Sequence, residues 1–303
     1  MSVATMPVFT ARVESPLELR PIEPSDLAPC ARIVYEAFAG IHDRHGFARD
    51  FPTLDAAARL VSAFIAHPLI WGVVAEIDGR IVGSNFLDER GPIRGVGPIT
   101  VDPAAQARGV GRCLMEAVID RGAGAAGIRL LQDAFNTRSL SLYASLGFEV
   151  AEPVVLLSGR PRSAGVAGVE VRPLGEADLV ACERLHRRVH GVERTRELLD
   201  ALDAPHLSPV VALRDGRVVA YATTLTSFPA AHAVAETHAD MAGLIAGALA
   251  AVDQPGSFLL PTRQAELLRW CLAEGLRVVK PMTYVTLGRP VDPAGAWVPS
   301  VLC

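Results

Sequence analysis

Ile99-Thr100-Val101-Asp102-Pro103-Ala104-Ala105-Gln106-Ala107-Arg108-Gly109-Val110-Gly111-Arg112, which passes into the helical pattern of Cys113 to Arg121, decides the fold. Apolar residues end a strand, a loop of small residues turns, and a helix begins. Gly109 and Gly111 remove side chains where the backbone approaches something closely, and the first amides of a helix have no intrahelical partner. The helix dipole and the charges of Arg108 and Arg112 make phosphate or pyrophosphate the natural occupant. No Gly-Lys-Ser/Thr follows, so this is not a Walker loop, and the first glycine of G-x-G-x-x-G is missing, so it is not a dinucleotide fingerprint. What remains is Gln106-x-x-Gly109-x-Gly111 after Val-Asp-Pro.

Upstream, Leu17 to Ile22 predicts a strand, and Glu23-Pro24-Ser25-Asp26 opens a helix carrying Leu27, Ile33, Val34, Ala37 and Phe38. A loop is expected over Gly40 to Arg49, then a second amphipathic helix from Thr53 to His67. Trp71 to Ile77 and Arg80 to Leu87 predict strands joined by Asp78-Gly79, a tight hairpin signal, and Arg94 to Val101 is the strand feeding the phosphate loop. Downstream come a short strand from Ile128 to Leu131, a helix from Thr137 to Leu146 stopped by Gly147, and a strand from Phe148 to Leu157.

This order, together with Gln106-x-x-Gly109-x-Gly111, resembles the GNAT acetyltransferases. A second stretch carries the same resemblance: Asn136-Thr137-Arg138-Ser139 followed by Leu142-Tyr143-Ala144-Ser145-Leu146-Gly147-Phe148, with a tyrosine just before Leu-Gly-Phe. The resemblance implies acetyl-CoA as co-substrate, with its pyrophosphate on Gln106, Arg108, Gly109, Val110, Gly111 and Arg112. The pantetheine arm would lie like an added strand along Ile99, Thr100 and Val101. Gly95, Gly97 and Pro98 suit a strand that diverges from its neighbour. Tyr143 would protonate the departing thiolate, or else pack with its hydroxyl satisfied. Asn136 would bond the arm, or cap the helix.

The chain then repeats itself. Glu18-Leu-Arg-Pro-Ile-Glu-Pro-Ser-Asp-Leu-Ala-Pro-Cys returns as Glu170-Val-Arg-Pro-Leu-Gly-Glu-Ala-Asp-Leu-Val-Ala-Cys, Asp78-Gly79-Arg80 as Asp215-Gly216-Arg217, and Gly147 as Gly275. From hairpin glycine to capping glycine the first copy spans 68 positions and the second 59, and the shortfall falls where the phosphate loop should be. Arg269-Trp270-Cys271 stand near the place of the tyrosine. The expected fold class is α/β with mixed sheets, as two GNAT-like domains, each a mostly antiparallel sheet flanked by helices. The expected divisions are a catalytic domain over 15–157, a linker over 158–168, a degenerate copy over 169–289 that walls the cleft, and a tail over 290–303. Trp297, Val298, Val301 and Leu302 are too apolar for a solvated tail. It should dock, either at the junction with Cys303 near the cleft or on the second copy's own core.

Composition narrows the function classes. A net charge of −4 without a polybasic run argues against nucleic acid. Five cysteines without a Cys-x-x-Cys pair argue against a disulfide framework or a structural zinc, and no metal is expected. The absence of a signal-like start and of any long apolar run implies a cytoplasmic protein without membrane contact. The expected partner is a small-molecule or peptide amine, with homodimerisation left open. N-acetyl transfer is favoured over a catalytically inactive acyl-CoA sensor by Tyr143 and the intact loop. It is favoured over transfer from an aminoacyl donor by the acidic balance. No single general base emerges from Asp88, Glu89, His42, His45, His238 and the Cys303 carboxylate.

Overall fold

A computed structural model describes residues 16–106, 108–288 and 292–302. The first half contains β1 (Glu18–Pro21), α1 (Leu27–His45), α2 (Leu54–Ala66), β2 (Ile70–Ile77), β3 (Arg80–Asp88), β4 (Ile93–Val96), β5 (Thr100–Val101), α3 (Val110–Arg121), β6 (Gly127–Asp133), α4 (Thr137–Ser145) and β7 (Glu149–Gly159). The second half contains β8 (Glu170–Pro173), α5 (Leu179–His190), α6 (Thr195–Asp203), β9 (Val210–Arg214), β10 (Arg217–Ala222), β11 (Ala233–Ala235), α7 (His238–Ala250), β12 (Gly256–Pro261), α8 (Ala265–Ala273), β13 (Arg277–Gly288) and β14 (Ala296–Val298). The strands form one mixed, mostly antiparallel sheet and one antiparallel sheet, both flanked by helices, an α/β fold that fits two GNAT-like units.

Two local expectations are corrected. The loop expected over Gly40 to Arg49 is largely helix, because α1 continues through Gly40 to His45 and stops only at Gly46, whose φ of 72° forms a left-handed cap. His42 is therefore a buried helical residue rather than a loop residue. The single strand expected over Arg94 to Val101 is two strands, since Pro98 lacks an amide and Gly97 takes a φ of 134° between them. Both hairpins form as the sequence implies, with Asp78 and Gly79 at φ 55° and 69°, and Asp215 and Gly216 at 51° and 74°.

The two copies exchange their last strands. One sheet runs β1-β2-β3-β4-β6-β13-β7-β12, with β5 beside β3, so β13 of the second copy separates β6 from β7 of the first. Val154 of β7 faces Met282 of β13, 128 positions further on, and the same offset relates Gly147 to Gly275. Glu152 faces Tyr284 and Leu156 faces Lys280, so the pairing is symmetric about that point. The remaining strands of the second copy form a separate sheet, β14-β11-β10-β9-β8. Leu131 of β6, Val154 and Leu156 of β7, Leu259 of β12, and Met282 and Tyr284 of β13 pack with Trp297 of β14 into one apolar cluster at the junction.

The tail enters this junction. β14 pairs with β11, and Leu302 rests on Gly95 so closely that a Cβ there would lie 2.0 Å from the Leu302 carbonyl oxygen. Cys303 lies outside the described residues.

Candidate functional site

β4 and β6 run parallel only from Ile93↔Gly127 to Gly95↔Arg129. Beyond that point β5 pairs with β3 alone, while β6 continues to Asp133 against β13. The strands therefore splay, and the outer edge of β5, carrying Thr100 and Val101, has no strand partner among the described residues. Ile99 lies just before it, half-buried.

At the open end of the splay the chain turns through Asp102, which accepts from the Ala104 amide at 2.9 Å, and reaches Gly109. Gly109 takes a φ of 81° and opens α3, accepting from the amides of Arg112 at 3.0 Å and Cys113 at 3.1 Å. The amides of Val110 and Gly111 have no acceptor among the described residues. Nothing stands within 4 Å of the place a Gly109 side chain would take, and Arg108 is exposed beside it. Gln106 accepts from Arg138 of α4 at 2.8 Å. Arg112 lies further round the helix, donating to Ser145 at 2.6 Å and facing Glu116 at 3.6 Å. Loop residues 106 and 108–111 thus come together at one helix start, with Arg112 turned toward α4.

Across the splay, Asn136 caps α4 by accepting from the Ser139 amide at 3.3 Å. Tyr143 lies one helical face further, buried against Phe148 with ring centroids 6.1 Å apart. Burial pushes its phenol well above the ordinary tyrosine range, and the Asp133 charge adds to this. Its hydroxyl has no hydrogen-bond partner among the described residues.

The other face of β6 carries a group that the sequence reading missed. Lys280 of β13, only 1% exposed, places its ammonium 2.7 Å from Asp50, 2.6 Å from Asp133 and 3.2 Å from His42 Nε2. His42, completely buried, donates from Nδ1 to the Phe38 carbonyl at 2.8 Å. Burial works against the His42 charge, but the neighbouring Asp50 outweighs it and raises the imidazole above its ordinary value. Asp50 is lowered because His42 and Lys280 overcome its burial, whereas burial prevails at Asp133 and raises it. With His42 protonated, two cations balance two carboxylates. The spacing of His42, Asp50 and Asp133 would also suit a metal ion, but the Lys280 ammonium stands at their centre. Nothing in the sequence near Lys280 announces this partnership, because its partners lie more than a hundred positions away.

The other base candidates are scattered. Asp88 is tied to Arg90 at 2.6 Å and Glu89 to Arg121 at 2.9 Å. His45 is exposed and donates to the Ile41 carbonyl at 2.9 Å, while His238 lies on the second copy, 3.5 Å from Glu266.

The candidate site thus joins a splayed parallel pair, a helix start at its mouth and a tyrosine-bearing helix across it. Residues 69–150 match the family model Acetyltransferase (GNAT) domain. A mycothiol acetyltransferase from Nocardia farcinica is 32% identical over 135 residues, a match covering 42% of this chain and 43% of that protein, less than half the length of either. A putative acetyltransferase from Pyrococcus horikoshii shares the fold with a TM-score of 0.71 at 16% identity, covering 92% of this chain and 94% of that one. A tandem GNAT protein from the clavulanic acid biosynthesis pathway does so with a TM-score of 0.57 at 14% identity, covering 92% and 99%. Residues 69–150 thus match a GNAT domain, and the chain as a whole shares its fold with a tandem GNAT protein. No helix among the described residues is long and apolar enough to cross a membrane.

Proposed function

We propose that the first unit transfers an acetyl group from acetyl-CoA to a primary amine of a small molecule or peptide. The observation that carries this comes from the second copy. The hairpin offset of 137 positions maps Gly83 and Ser84 of β3 onto Ala220 and Tyr221 of β10, and the residues they face make Ala235 and Val234 of β11 the counterparts of Val101 and Thr100 of β5. On the outer edge of β11 lies β14, Trp297 opposite Val234. The side chain of Gln264, the counterpart of Asn136, donates to the Trp297 carbonyl at 2.7 Å and accepts from its amide at 3.0 Å. An extended amide-bearing chain therefore fills the second splay, held by a strand edge and a carboxamide. The first copy has the same edge and the same kind of carboxamide, with no strand there among the described residues, beside a helix start whose first amides have no acceptor among them. A pantetheine arm, which carries two amides, matches those fittings.

When bound, acetyl-CoA supplies the activated thioester. The residues of the chain do the rest. The amides of Val110 and Gly111, with Arg108, hold the pyrophosphate; β5 and Asn136 align the arm. Tyr143 stays protonated at neutral pH because of its burial, so it serves as a donor to the developing thiolate.

Calorimetry with acetyl-CoA should find one site per chain, lost when Gly109 and Gly111 are both replaced by Asp. Tyr143→Phe should lower turnover on the order of ten- to a thousandfold while nearly preserving cofactor affinity. Two sites per chain, or binding that survives the double aspartate change, would refute the assignment of the site.

A further inference from the structure

At the closed end of the splay, where β4 and β6 are last paired, a cavity of about 40 Å³ lies between the two copies. Arg129, whose β6 position faces Gly95, projects into its wall and is 7% exposed. Its Nε and Nη2 are both buried without a hydrogen-bond partner among the described residues, as are Trp297 Nε1 and His190 Nε2 from the opposite wall. The ring of Tyr284 lies 6.0 Å from the guanidinium carbon, a contact that orients the plane of the group but brings no counter-charge.

The other charges around the cavity are matched. Arg90 is paired with Asp88 at 2.6 Å and Asp200 at 3.0 Å, Arg194 with Glu197, and Glu193 with Arg187. Burial pushes His186 down to about 4 and holds His190 and His232 well below the imidazole range, so the three rings are uncharged. Arg129 is thus a buried cation without an ion-pair partner among the described residues. Nε and Nη2 form the side of a guanidinium that meets the two oxygens of a carboxylate in a bidentate pair. The cavity volume suits such a small planar group, or a few waters.

The position connects this cavity to acetyl transfer. An arm entering at the start of α3 and running back along β5 from Val101 toward Ile99 points its acyl end at the pairing Gly95↔Arg129. An amine attacking there would extend across the sheet into the junction. Resting on the function proposed above, we propose that Arg129, with Trp297 and His190, binds the carboxylate of the acceptor, so that the substrate class is amines bearing a carboxylate, such as α-amino acids or peptides. β14 then has a second use: it brings the Trp297 indole to the acceptor.

The test separates binding from turnover. Calorimetry with N-acetyl-phenylalanine and with N-acetyl-phenylalaninamide, a product-like pair differing only in the carboxylate, should show the acid binding at least about tenfold more tightly in the wild type. Thiol-release assays with the common α-amino acids against their amides should show the same preference in kcat/KM. Arg129→Gln should remove the preference and leave calorimetric acetyl-CoA affinity unchanged, with Arg129→Lys retaining part of it. Equal binding of acid and amide by the wild type would overturn the proposal, whether or not the variants fold, and would mean that the cavity holds water. Acid-selective, Arg129-dependent binding without any acetyl-CoA binding would leave the carboxylate site standing and defeat the acetyltransferase reading.

Discussion

Replacing Lys280 by Met tests whether the buried cluster under β6 is an ion network or a coincidence of packing. Methionine keeps most of the stem that lies against the Phe228 ring, 5.5 Å from the ammonium, and deletes one positive charge. Asp50 and Asp133 then lose the cation that stands within 2.7 Å of each, in a site where Lys280 was 1% exposed. Breaking a buried pair in this way costs about 3–5 kcal/mol. The chain can also relieve the charge by protonating one carboxylate, and Asp133, already raised by burial, is the one that would take the proton. From an unfolded aspartate near 3.9 that costs about 4 kcal/mol at pH 7 and about 1.5 kcal/mol at pH 5. The destabilisation of Lys280→Met should therefore be about 3–5 kcal/mol at pH 7 and should shrink by about 2–3 kcal/mol at pH 5. Adding Asp133→Asn should restore part of the loss at pH 7 because the second change removes the surplus charge. Urea unfolding of the wild type and both variants at the two pH values measures all of this. A loss below about 1 kcal/mol at pH 7, or one that is independent of pH, would refute the network.

Two further outcomes follow from the same geometry. His42 has a folded-state value above its unfolded one, so its contribution to stability is fully present below about 6.5 and is lost as pH rises through the folded value. Unfolding free energy should decline through that window in the wild type and much less in His42→Gln. Asp50, lowered in the fold, acts in the opposite sense, losing its contribution as pH falls from about 3.9 through its folded value. Gly95→Ala should cost roughly 1–3 kcal/mol, because its Cβ would lie 2.0 Å from the Leu302 carbonyl oxygen and 2.9 Å from the Leu302 Cα, where only the backbone can yield. Trp297 emission should shift to the red as the tail loosens, and an unchanged melt and spectrum would show that the tail does not rest there.

How far the sequence discloses such a molecule depends on the distance between partners. The helix start at Gly109, the Asp78-Gly79 hairpin and the stop at Gly147 are each fixed by a few adjacent residues, and their dihedral demands are visible in the letters. The repeat is equally plain, since Arg20 pairs with Asp26 at 2.7 Å and Arg172 with Asp178 at 2.7 Å in matching turns. The exchange of β7 and β13 could not be read, because copies of one strand have equal claim on either neighbour and only the assembled junction decides between them. The same exchange hides two buried polar groups. It carries Lys280 to His42, 238 positions away, and it sets β14 and the His190 ring over Arg129. Arg129 in the sequence is one cation on an apolar strand, and its want of a counter-charge appears only once the junction has closed around it.

The unequal fates of the two copies follow from what each splay contains. α7 begins with Thr237 accepting from the Asp240 amide at 3.1 Å, and Asp240 in turn holds Arg214 at 2.8 Å, so its first turn is capped by the chain and carries an acid where α3 has free amides and cations. A phosphate at α7 would meet that carboxylate. Gln264 is one methylene longer than Asn136, and that reach lets it grip the backbone of Trp297 on both sides. In the place of Tyr143 stands Cys271, whose thiol burial pushes up to about 12, leaving it packed and protonated rather than poised for transfer. Each change removes an element of the cofactor site proposed for the first copy, and together they let a strand of the chain occupy the second cleft. A duplicated chain that closes one of its clefts with its own backbone gains a rigid wall beside the other. That wall supplies Trp297, His190 and Lys280 to the face of β6 that carries Arg129 and Asp133.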